Sequence, residues 1–311
     1  MKKNYLVTGA CGFIGSHVVD QILLRDDVNK IFVVDFLGHG SNIDNLAVDD
    51  RVELHVHDLA NAHWREYLPH IDYILHLAAE SHVDRSITDP VDFVKSNVIG
   101  TTQVLEVAKE DQCRMVHVST DEVYGHLGFD DDPFTEDSPL APRSPYSSSK
   151  ASSDLIALSY ATTFGVDVSV TRCCNNYGPR QDDEKLIPTV IKKLMNNQKI
   201  PVYGDGKNVR EWIHVEDHAK AILEVLDKGE KGEVYNIAGS VELPNLSLIK
   251  DLISAVYGPE AKLEDSIEFV EDRAGHDLRY ALSSKHDLDS VKYQRSFTLC
   301  DTVKYFMEKN S

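Results

Sequence analysis

The chain has 311 residues and carries 32 Lys and Arg against 51 Asp and Glu, which gives a formal net charge of −19. Its composition, 42% hydrophobic and 27% charged, is that of an ordinary globular protein and excludes collagen-like, low-complexity and largely disordered chains. Nucleic acids and anionic membranes are bound by basic surfaces, so the negative charge argues against both as general partners. An anionic ligand would need locally placed cations.

Further features of the sequence bear on where the protein works. No apolar run approaches the roughly 20 residues that a membrane-spanning helix needs, and the first apolar run ends in glycines too early for a signal peptide. We therefore expect a cytoplasmic protein. Five cysteines without paired CxxC motifs favour reduced thiols. His55 and His57 alternate on a strand, but two histidines alone are usually surface residues, so we predict no metal site.

The first half of the chain alternates short β-branched runs with longer amphipathic segments. Helices are indicated at 92–110 and 147–164, where apolar residues recur every three or four positions. Because the strands are apolar on both faces, we expect an α/β fold with a Rossmann-type, doubly wound parallel sheet. The predicted strands are 5–8, 31–35, 52–56, 73–77, 115–119 and 166–171.

The regular alternation is lost in the second half, which indicates a smaller C-terminal α/β lobe. We predict a main domain over 1–172, which 215–240 rejoins, and a lobe over 173–311. An acidic, proline-broken stretch at 125–144 is predicted as a surface loop able to cover a site. The predicted later elements are a helix at 185–196, a strand at 201–203, a regular segment at 215–226, a strand at 234–237 and a helix at 246–257.

A glycine-rich turn follows the first predicted strand and opens a helix. Gly9, Gly12 and Gly15 would allow a tight turn, close approach of a pyrophosphate and close helix packing, while the helix N-terminus attracts the anion. Asp35 ends the second strand about 20 residues further on, where a carboxylate accepts hydrogen bonds from an adenosine ribose and repels a 2′-phosphate. The pattern predicts NAD rather than NADP. Weaker candidates for contact with the adenine are Asp58 and Leu59.

A second polar cluster lies where the fifth predicted strand ends, at the ligand-binding edge of a parallel sheet. There Thr120 precedes two adjacent carboxylates, Asp121 and Glu122. Adjacent carboxylates repel each other unless each has a task or a cation, and such pairs can supply both a proton donor and a proton acceptor. The alternative is a solvated acidic turn.

Tyr146 and Lys150 are four residues apart on the next predicted helix, so their side chains share one face. The ammonium of Lys150 would lower the pKa of the phenol and make Tyr146 a proton acceptor. The same spacing recurs at 203–207 and 305–309, so it is not specific by itself. Only Tyr146 follows the strand that carries the two carboxylates.

Eight strings spread over nearly the whole chain point to a family. They are TGACGFIGS at Thr8, AAESHVDRSI at Ala78, STDEVYG at Ser119, SPYSSSKASSD at Ser144, NNYGP at Asn175, EKLIP at Glu184, YGDGKNVREWIHVEDH at Tyr203 and DRAGHDLRYA at Asp272. On these strings the chain resembles the extended short-chain dehydrogenase/reductases of the NAD-dependent epimerase/dehydratase family, and within them the dTDP-glucose 4,6-dehydratases. Simple reductases share only the glycine turn and the Tyr/Lys pair.

The resemblance implies dehydration of dTDP-glucose to dTDP-4-keto-6-deoxyglucose through an internal redox cycle of bound NAD. Hydride leaves sugar C4, water is eliminated across C5 and C6, and hydride returns to C6. Tyr146 would take the C4 hydroxyl proton, tuned by Lys150, while Thr120 orients the C4 oxygen. Glu122 would remove the C5 proton and Asp121 would protonate the departing C6 hydroxyl, which requires a raised pKa in a covered site.

The resemblance also implies which residues hold cofactor and substrate. Arginine suits a diphosphate because its guanidinium pairs with two phosphate oxygens. Surface ion pairs remain the alternative for Arg210 and Arg273, a structural role for His276, and packing beside the site for Ser81 and His82. The expected NAD contacts are Gly9, Cys11, Gly12, Phe13, Ile14, Gly15, Asp35, Asp58, Leu59, Leu77, Ala78, Ala79, Ser119, Tyr146 and Lys150. The expected nucleotide-sugar contacts are Ser81, His82, Thr120, Asn175, Glu184, Lys185, Leu186, Pro201, Tyr203, Arg210, Asn245, Arg273 and His276.

Departures from the family pattern leave alternatives open. After Asp35 the string DFLGHGSN replaces DKLTYAGN, and the Gly-Trp usual near 290–293 is missing. The first departure leaves the affinity for NAD open. The second leaves the nucleobase open, so UDP-glucose is an alternative substrate. Asp121 and Glu122 argue against a C4 epimerase or a decarboxylase, and the intact acid–base groups argue against a silent NAD-binding scaffold. The family also implies a homodimer, through 92–110 and 147–164, and the biosynthesis of rhamnose or another deoxysugar.

Overall fold

The computed structural model describes residues 2–272 and 276–310. Its strands are β1 (Lys3–Thr8), β2 (Val28–Asp35), β3 (Val52–Val56), β4 (Tyr73–His76), β5 (Arg114–Thr120), β6 (Val168–Cys173), β7 (Asn175–Tyr177), β8 (Ile200–Tyr203), β9 (Val209–His214), β10 (Val234–Ile237), β11 (Val241–Pro244) and β12 (Ile267–Val270). Its helices are α1 (Phe13–Leu23), α2 (Val83–Thr88), α3 (Pro90–Val94), α4 (Thr101–Asp111), α5 (Pro145–Phe164), α6 (Leu186–Met195), α7 (Val215–Lys228), α8 (Asn245–Tyr257), α9 (Leu263–Ser266), α10 (Asp289–Lys292) and α11 (Cys300–Lys309).

Within this part of the chain, seven strands form one parallel sheet in the order β3-β2-β1-β4-β5-β6-β10. Neighbouring residues of the central strand β1 are buried on opposite faces. Leu6 packs in a cluster with residues of α4 and α5, and Val7 packs in a cluster with residues of α1 and α7. The strands are apolar on both faces because helices cover both, which confirms the predicted doubly wound α/β fold.

The helix predicted at 92–110 is not uniform. It begins earlier, as α3, and passes through one π-helical turn (Lys95–Gly100) into α4. The side chain of Asn97, buried in this turn, donates hydrogen bonds to the carbonyl of Glu80 at 2.9 Å and to Oγ of Ser149 at 2.8 Å. The wider turn therefore ties the segment after β4 to α5, and such bulges often lie near functional sites.

The strand predicted at 166–171 begins two residues later, at Val168. Gly165 ends α5 in a left-handed conformation with φ of +72°, and the amide of Val166 still donates to the carbonyl of Tyr160. Val166 therefore completes the end of the helix rather than opening the strand. Val166 is apolar, β-branched and buried. Because β-branched residues are typical of strands, the sequence pattern placed the start of the strand at Val166.

The second half of the chain adds smaller layers. The strands β7, β9 and β11 form one sheet, β8 pairs with β12, and α6, α8 and α11 pack with them around a separate apolar core. The strand β10 lies at the edge of the main sheet, and α7 packs against α1. The division of labour between the two domains stays a prediction. In the part of the chain that the structure describes, no helix has both the length and the apolar character to cross a membrane.

Candidate active site

A cleft with a volume of about 530 Å³ lies at the carboxyl edge of the main sheet. It opens beside β1. From there the strand order runs outward to β2 and β3 on one side and to β4, β5 and β6 on the other, and open α/β sheets bind ligands at this kind of switch point. Nearly all the expected NAD contacts line it: Gly9, Gly12, Phe13, Ile14, Gly15, Asp35, Asp58, Leu59, Leu77, Ala78, Ala79, Ser119, Tyr146 and Lys150.

The glycine turn leaves no room for side chains. Gly9 has φ of +71°, and a Cβ on it would lie 2.7 Å from the backbone of Ala78. A Cβ on Gly15 would lie 2.3 Å from the carbonyl oxygen of Gly9. Helix α1 begins after Gly12 without a side-chain cap, and its first residues, Phe13 and Ile14, line the cleft. This cradle fits the pyrophosphate of a dinucleotide.

Cys11 is the expected NAD contact that does not line the cleft. Its side chain is fully buried in the core, and burial raises the pKa of its thiol to about 12. Its amide donates to one carboxylate oxygen of Asp35 at 2.9 Å. The other oxygen of Asp35 accepts hydrogen bonds from the amide of Leu37 at 2.8 Å and from Ser41 at 3.0 Å. Cys11 thus positions the acidic residue through its backbone.

The two adjacent carboxylates lie in a short 3₁₀ turn that begins directly after β5, and Thr120 caps the turn. Asp121 is 3% exposed, so it does not belong to a solvated acidic turn. Burial, followed by the nearby Glu122 and Glu211, raises the pKa of Asp121 well above its ordinary value. The cleft is lined by Thr120 and Glu122, and Asp121, which is not part of the lining, accepts a hydrogen bond from Thr120.

Tyr146 and Lys150 share one face of α5 and both line the cleft. The expected lowering of the phenol pKa is not observed, because burial and the negative charge of Glu122 raise the pKa of Tyr146 well above its usual value. The ammonium of Lys150 donates instead to the main-chain carbonyl of Val118 at 2.9 Å. Burial lowers the pKa of Lys150 to about 8.

The expected substrate residues fall into two groups. The first lines or borders the same cleft and consists of Ser81, His82, Thr120, Asn175, Glu184 and Lys185. His82 lies 2.9 Å from Glu184, and Lys185 donates to the carbonyl of Ser81 at 3.4 Å. This group therefore joins the ends of β4, β5 and β6 to the segment before α6.

The second group lies outside the cleft, in the smaller layers: Leu186, Pro201, Tyr203, Arg210, Asn245 and His276. Arg210 is buried, donates to the carbonyl of Asp277 at 3.0 Å and lies over the ring of Tyr280 at 4.6 Å. It is close enough to Asp121 to lower the pKa of that carboxyl, against the larger effect of burial. Arg273 lies outside the described residues.

Two features of this second group bear on ligand binding. Oδ1 of Asn245 is buried without a hydrogen-bond partner among residues 2–272 and 276–310. Nδ1 of His276 lies 2.6 Å from a carboxylate oxygen of Asp272, which also borders the turn at Gly204. These contacts place the second group around the turn after β8, and its role in binding stays a prediction.

Two features of the site were not predicted from the sequence: the buried acid Glu211, and the convergence of His39 with His82 and Glu184. Glu211 on β9 is 6% exposed, and burial raises its pKa to about 8. An acid beside Trp212 and Ile213 in a strand is the only sequence signal for it. His39, His82 and Glu184 converge at the rim of the cleft. No spacing pattern reveals that group, because it joins three segments far apart in the chain.

Comparisons with known proteins give the family. The model of the NAD dependent epimerase/dehydratase family matches residues 5–238. The chain belongs to that family. It is 46% identical to a dTDP-glucose 4,6-dehydratase of Streptomyces griseus over 97% of this chain and 90% of that protein. It is 48% identical to the low-salt glycan biosynthesis protein Agl12 of Haloferax volcanii over 90% of each chain.

A solved structure agrees with these relatives. The crystal structure of DesIV, a dTDP-glucose 4,6-dehydratase of Streptomyces venezuelae with NAD bound, superposes with a TM-score of 0.91 at 43% identity. The match covers 98% of this chain and 97% of that chain. The similarity therefore extends over both the main sheet and the smaller layers.

Proposed function

We propose that the cleft binds NAD and that the protein is a hydro-lyase that converts dTDP-glucose to dTDP-4-keto-6-deoxyglucose. The observation that carries this proposal is the buried carboxyl of Asp121 beside Glu122, at the end of β5, with Tyr146 and Lys150 of α5 close to that strand. Elimination of water needs one proton donor and one proton acceptor, and the different surroundings of the two carboxyls suit those two tasks. The similarity to dTDP-glucose 4,6-dehydratases supports the same substrate.

The residues of the cleft fit NAD. The glycine turn and the first amides of α1 would hold the pyrophosphate, and Asp35 would accept hydrogen bonds from the adenosine ribose. Oγ of Ser119 is buried without a hydrogen-bond partner in the described part of the chain, and it lines the cleft where a ligand would meet it. When bound, NAD supplies a hydride acceptor at C4, a hydride donor at C6 and a positive charge on the oxidised ring.

Proton transfers are assigned to the chain's own side chains. Tyr146 would accept the C4 hydroxyl proton as tyrosinate, which requires that the positive charges of the oxidised nicotinamide ring and of Lys150 lower its pKa from the raised value that burial and Glu122 give it. Thr120 orients the C4 oxygen. Oxidation at C4 acidifies the C5–H bond, so Glu122 takes the C5 proton, and it returns a proton to C5 when hydride adds to C6. Asp121, kept protonated by burial, gives its proton to the C6 hydroxyl, which leaves as water. Lys150 acts through its charge near the phenol, which opposes the effect of Glu122.

We also propose that residues 1–172 with 215–240 bind the cofactor and that the remainder of 173–311 binds the nucleotide sugar. The enzyme would act as a cytoplasmic homodimer in deoxysugar biosynthesis, whether of rhamnose or of another sugar. The dimer is supported by exposed apolar side chains on α3 and α5, among them Val91, Val94 and Leu155. UDP-glucose remains the second candidate substrate, because the Gly-Trp that the family usually has near 290–293 is missing.

The test is turnover in heavy water without added nicotinamide, with dTDP-glucose and UDP-glucose supplied separately. We expect a product lighter by one water, with deuterium at C5 and no accumulation of NADH, from dTDP-glucose. The variant Glu122→Gln should bind nucleotide but lose exchange of the C5 proton, whereas Glu260→Gln, at an exposed acid far along the chain, should retain it.

The other outcomes are informative. An isobaric product without solvent deuterium would mean epimerisation and would overturn the roles of Asp121 and Glu122. Faster turnover of UDP-glucose would change the preferred nucleobase from thymine to uracil but keep the proposed dehydration. Bound NAD with no turnover of either sugar would indicate a scaffold instead of an enzyme.

A further inference from the structure

Three residues from distant parts of the chain meet at the rim of the cleft. His39 lies in the loop after β2, His82 lies directly before α2, and Glu184 lies shortly before α6. Nε2 of His39 and Nε2 of His82 lie 3.0 and 2.9 Å from the same carboxylate oxygen of Glu184. A ligating atom from each of the three residues lies within 4.8 Å of the others.

We propose that His39, His82 and Glu184 bind a divalent transition-metal ion, with Zn²⁺ as the best-suited ion, and that the ion fastens the segment before α6 to the loops after β2 and β4. Two imidazoles and one carboxylate are a ligand set that zinc uses in proteins, with a fourth position for water. Mg²⁺ and Ca²⁺ prefer oxygen ligands and do not suit two imidazoles.

The distances require only small adjustments. A tetrahedral zinc ion about 2.0 to 2.2 Å from each ligand places the ligand atoms about 3.3 to 3.6 Å apart. The two separations from Glu184, 3.0 and 2.9 Å, are about 0.3 to 0.7 Å shorter than this. The side chains of His39, His82 and Glu184 are 33%, 20% and 52% exposed, so rotation about their own bonds can bring the imidazoles together. Their exposure also gives an ion access.

Two charged side chains of opposite sign, Lys185 and Asp182, lie near the three proposed ligands. Lys185 opposes the ion. Asp182 counters the positive charge of Lys185. Its carboxylate lies 2.9 Å from the position that a Cβ on Gly40 would take, and Gly40 is next to His39. Ligation through Nε2 costs His82 only the long hydrogen bond that its Nδ1 accepts from the amide of Arg85 at 3.4 Å.

The experiment is a calorimetric titration of the metal-free, full-length protein with Zn²⁺. We expect one ion per chain. The variants His39→Asn, His82→Asn and Glu184→Gln should each weaken binding at least about tenfold, the cost expected even for loss of an outer partner of a ligand. Asn at position 82 can still cap α2, which protects the fold. The matched control is His63→Asn, because His63 is an exposed histidine beside an acid, Glu66, and lies outside the cluster.

Equal affinity in the wild type and in His39→Asn would place the ion elsewhere and overturn the proposal, as would no binding at micromolar Zn²⁺. A second measurement is thermal unfolding, in which Zn²⁺ should raise the Tm of the wild type and of His63→Asn but not that of His39→Asn. Neither measurement needs NAD or a sugar nucleotide. Failure here is therefore distinguishable from failure of the proposed dehydratase activity.

Discussion

Thr120 donates a hydrogen bond from Oγ1 to one carboxylate oxygen of Asp121 at 3.2 Å, while the other oxygen of Asp121 is buried without a hydrogen-bond partner in the described residues. A buried carboxylate with one unsatisfied oxygen is costly when ionised, and protonation removes most of that cost. The same oxygen, once protonated, is a donor with no acceptor among residues 2–272 and 276–310. The arrangement thus suits a general acid that awaits a substrate oxygen.

Asp121→Asn should remove the proton donor while keeping the shape of the side chain. We expect kcat to fall by about 10² to 10⁴, the usual contribution of general acid catalysis. Oxidation at C4 does not need this proton, so reduced nicotinamide should accumulate within a single turnover and be visible by its absorbance. Asp130→Asn, at an exposed acid in the loop 125–144, is the control and should turn over like the wild type. Unchanged kcat in Asp121→Asn would remove Asp121 from the mechanism.

The same substitution should stabilise the fold in a pH-dependent way. Asp121 has a raised pKa in the folded state, and its pKa in an unfolded chain is about 3.9. Below that pH the carboxyl is protonated in both states. As the pH rises above about 3.9, Asp121 ionises in the unfolded chain before it ionises in the folded protein. The free energy of unfolding of the wild type therefore falls until the pH passes the folded pKa of Asp121. Asn does not titrate and avoids this loss.

The measurement is the Tm of Asp121→Asn minus that of the wild type, followed from acid to mild base. The difference should be near zero at about pH 4 and reach about 2 °C or more by about pH 8. Asp130→Asn should give a flat difference over the same range. A gain that does not change with pH would come from packing, and the proposed ionisation of Asp121 would then be wrong.

Local signals predicted the parts of the fold that local forces decide. Strand β1 was predictable because its residues are apolar on both faces, and the glycine turn because Gly9 and Gly15 stand where a Cβ would strike backbone. The positions of Tyr146 and Lys150 followed from helical spacing. Each of these features depends on neighbours in the chain or on one periodic pattern.

Features set by residues distant in sequence were not predictable. The pKa of Tyr146 depends on burial and on Glu122, and Lys150 of α5 takes a partner, Val118, from strand β5. The π-helical turn reflects contacts that Asn97 makes with two other segments. The sequence also predicted Cys11 as a cofactor contact from its place in the motif but did not reveal that its side chain is buried and that its amide donates to Asp35. Tertiary packing overrides the local pattern in each case.

Gly15→Ala should impair binding of NAD. Its Cβ would lie 2.3 Å from the carbonyl oxygen of Gly9 and 2.8 Å from Cα of Ala10, so the turn that faces the pyrophosphate must move. We expect affinity for NAD to fall at least about tenfold, measured by nucleotide content after purification and by titration. Gly165→Ala is the control, since it has a positive φ but nothing within 4 Å of its added Cβ. Equal loss of NAD in both variants would indicate general destabilisation.

A charge on the apolar face of α3 and α5 should separate the proposed dimer. Leu155 is 58% exposed on α5, in the same helical layer as the exposed Val91 and Val94 of α3. A buried aspartate in the interface would be left without a partner, so Leu155→Asp should give monomers in light scattering. Leu24→Asp replaces a leucine that is 77% exposed just beyond α1 and should leave the mass unchanged. A dimer that persists in Leu155→Asp would refute this interface, because the substitution places an unpaired charge on the apolar face by which the two copies would associate.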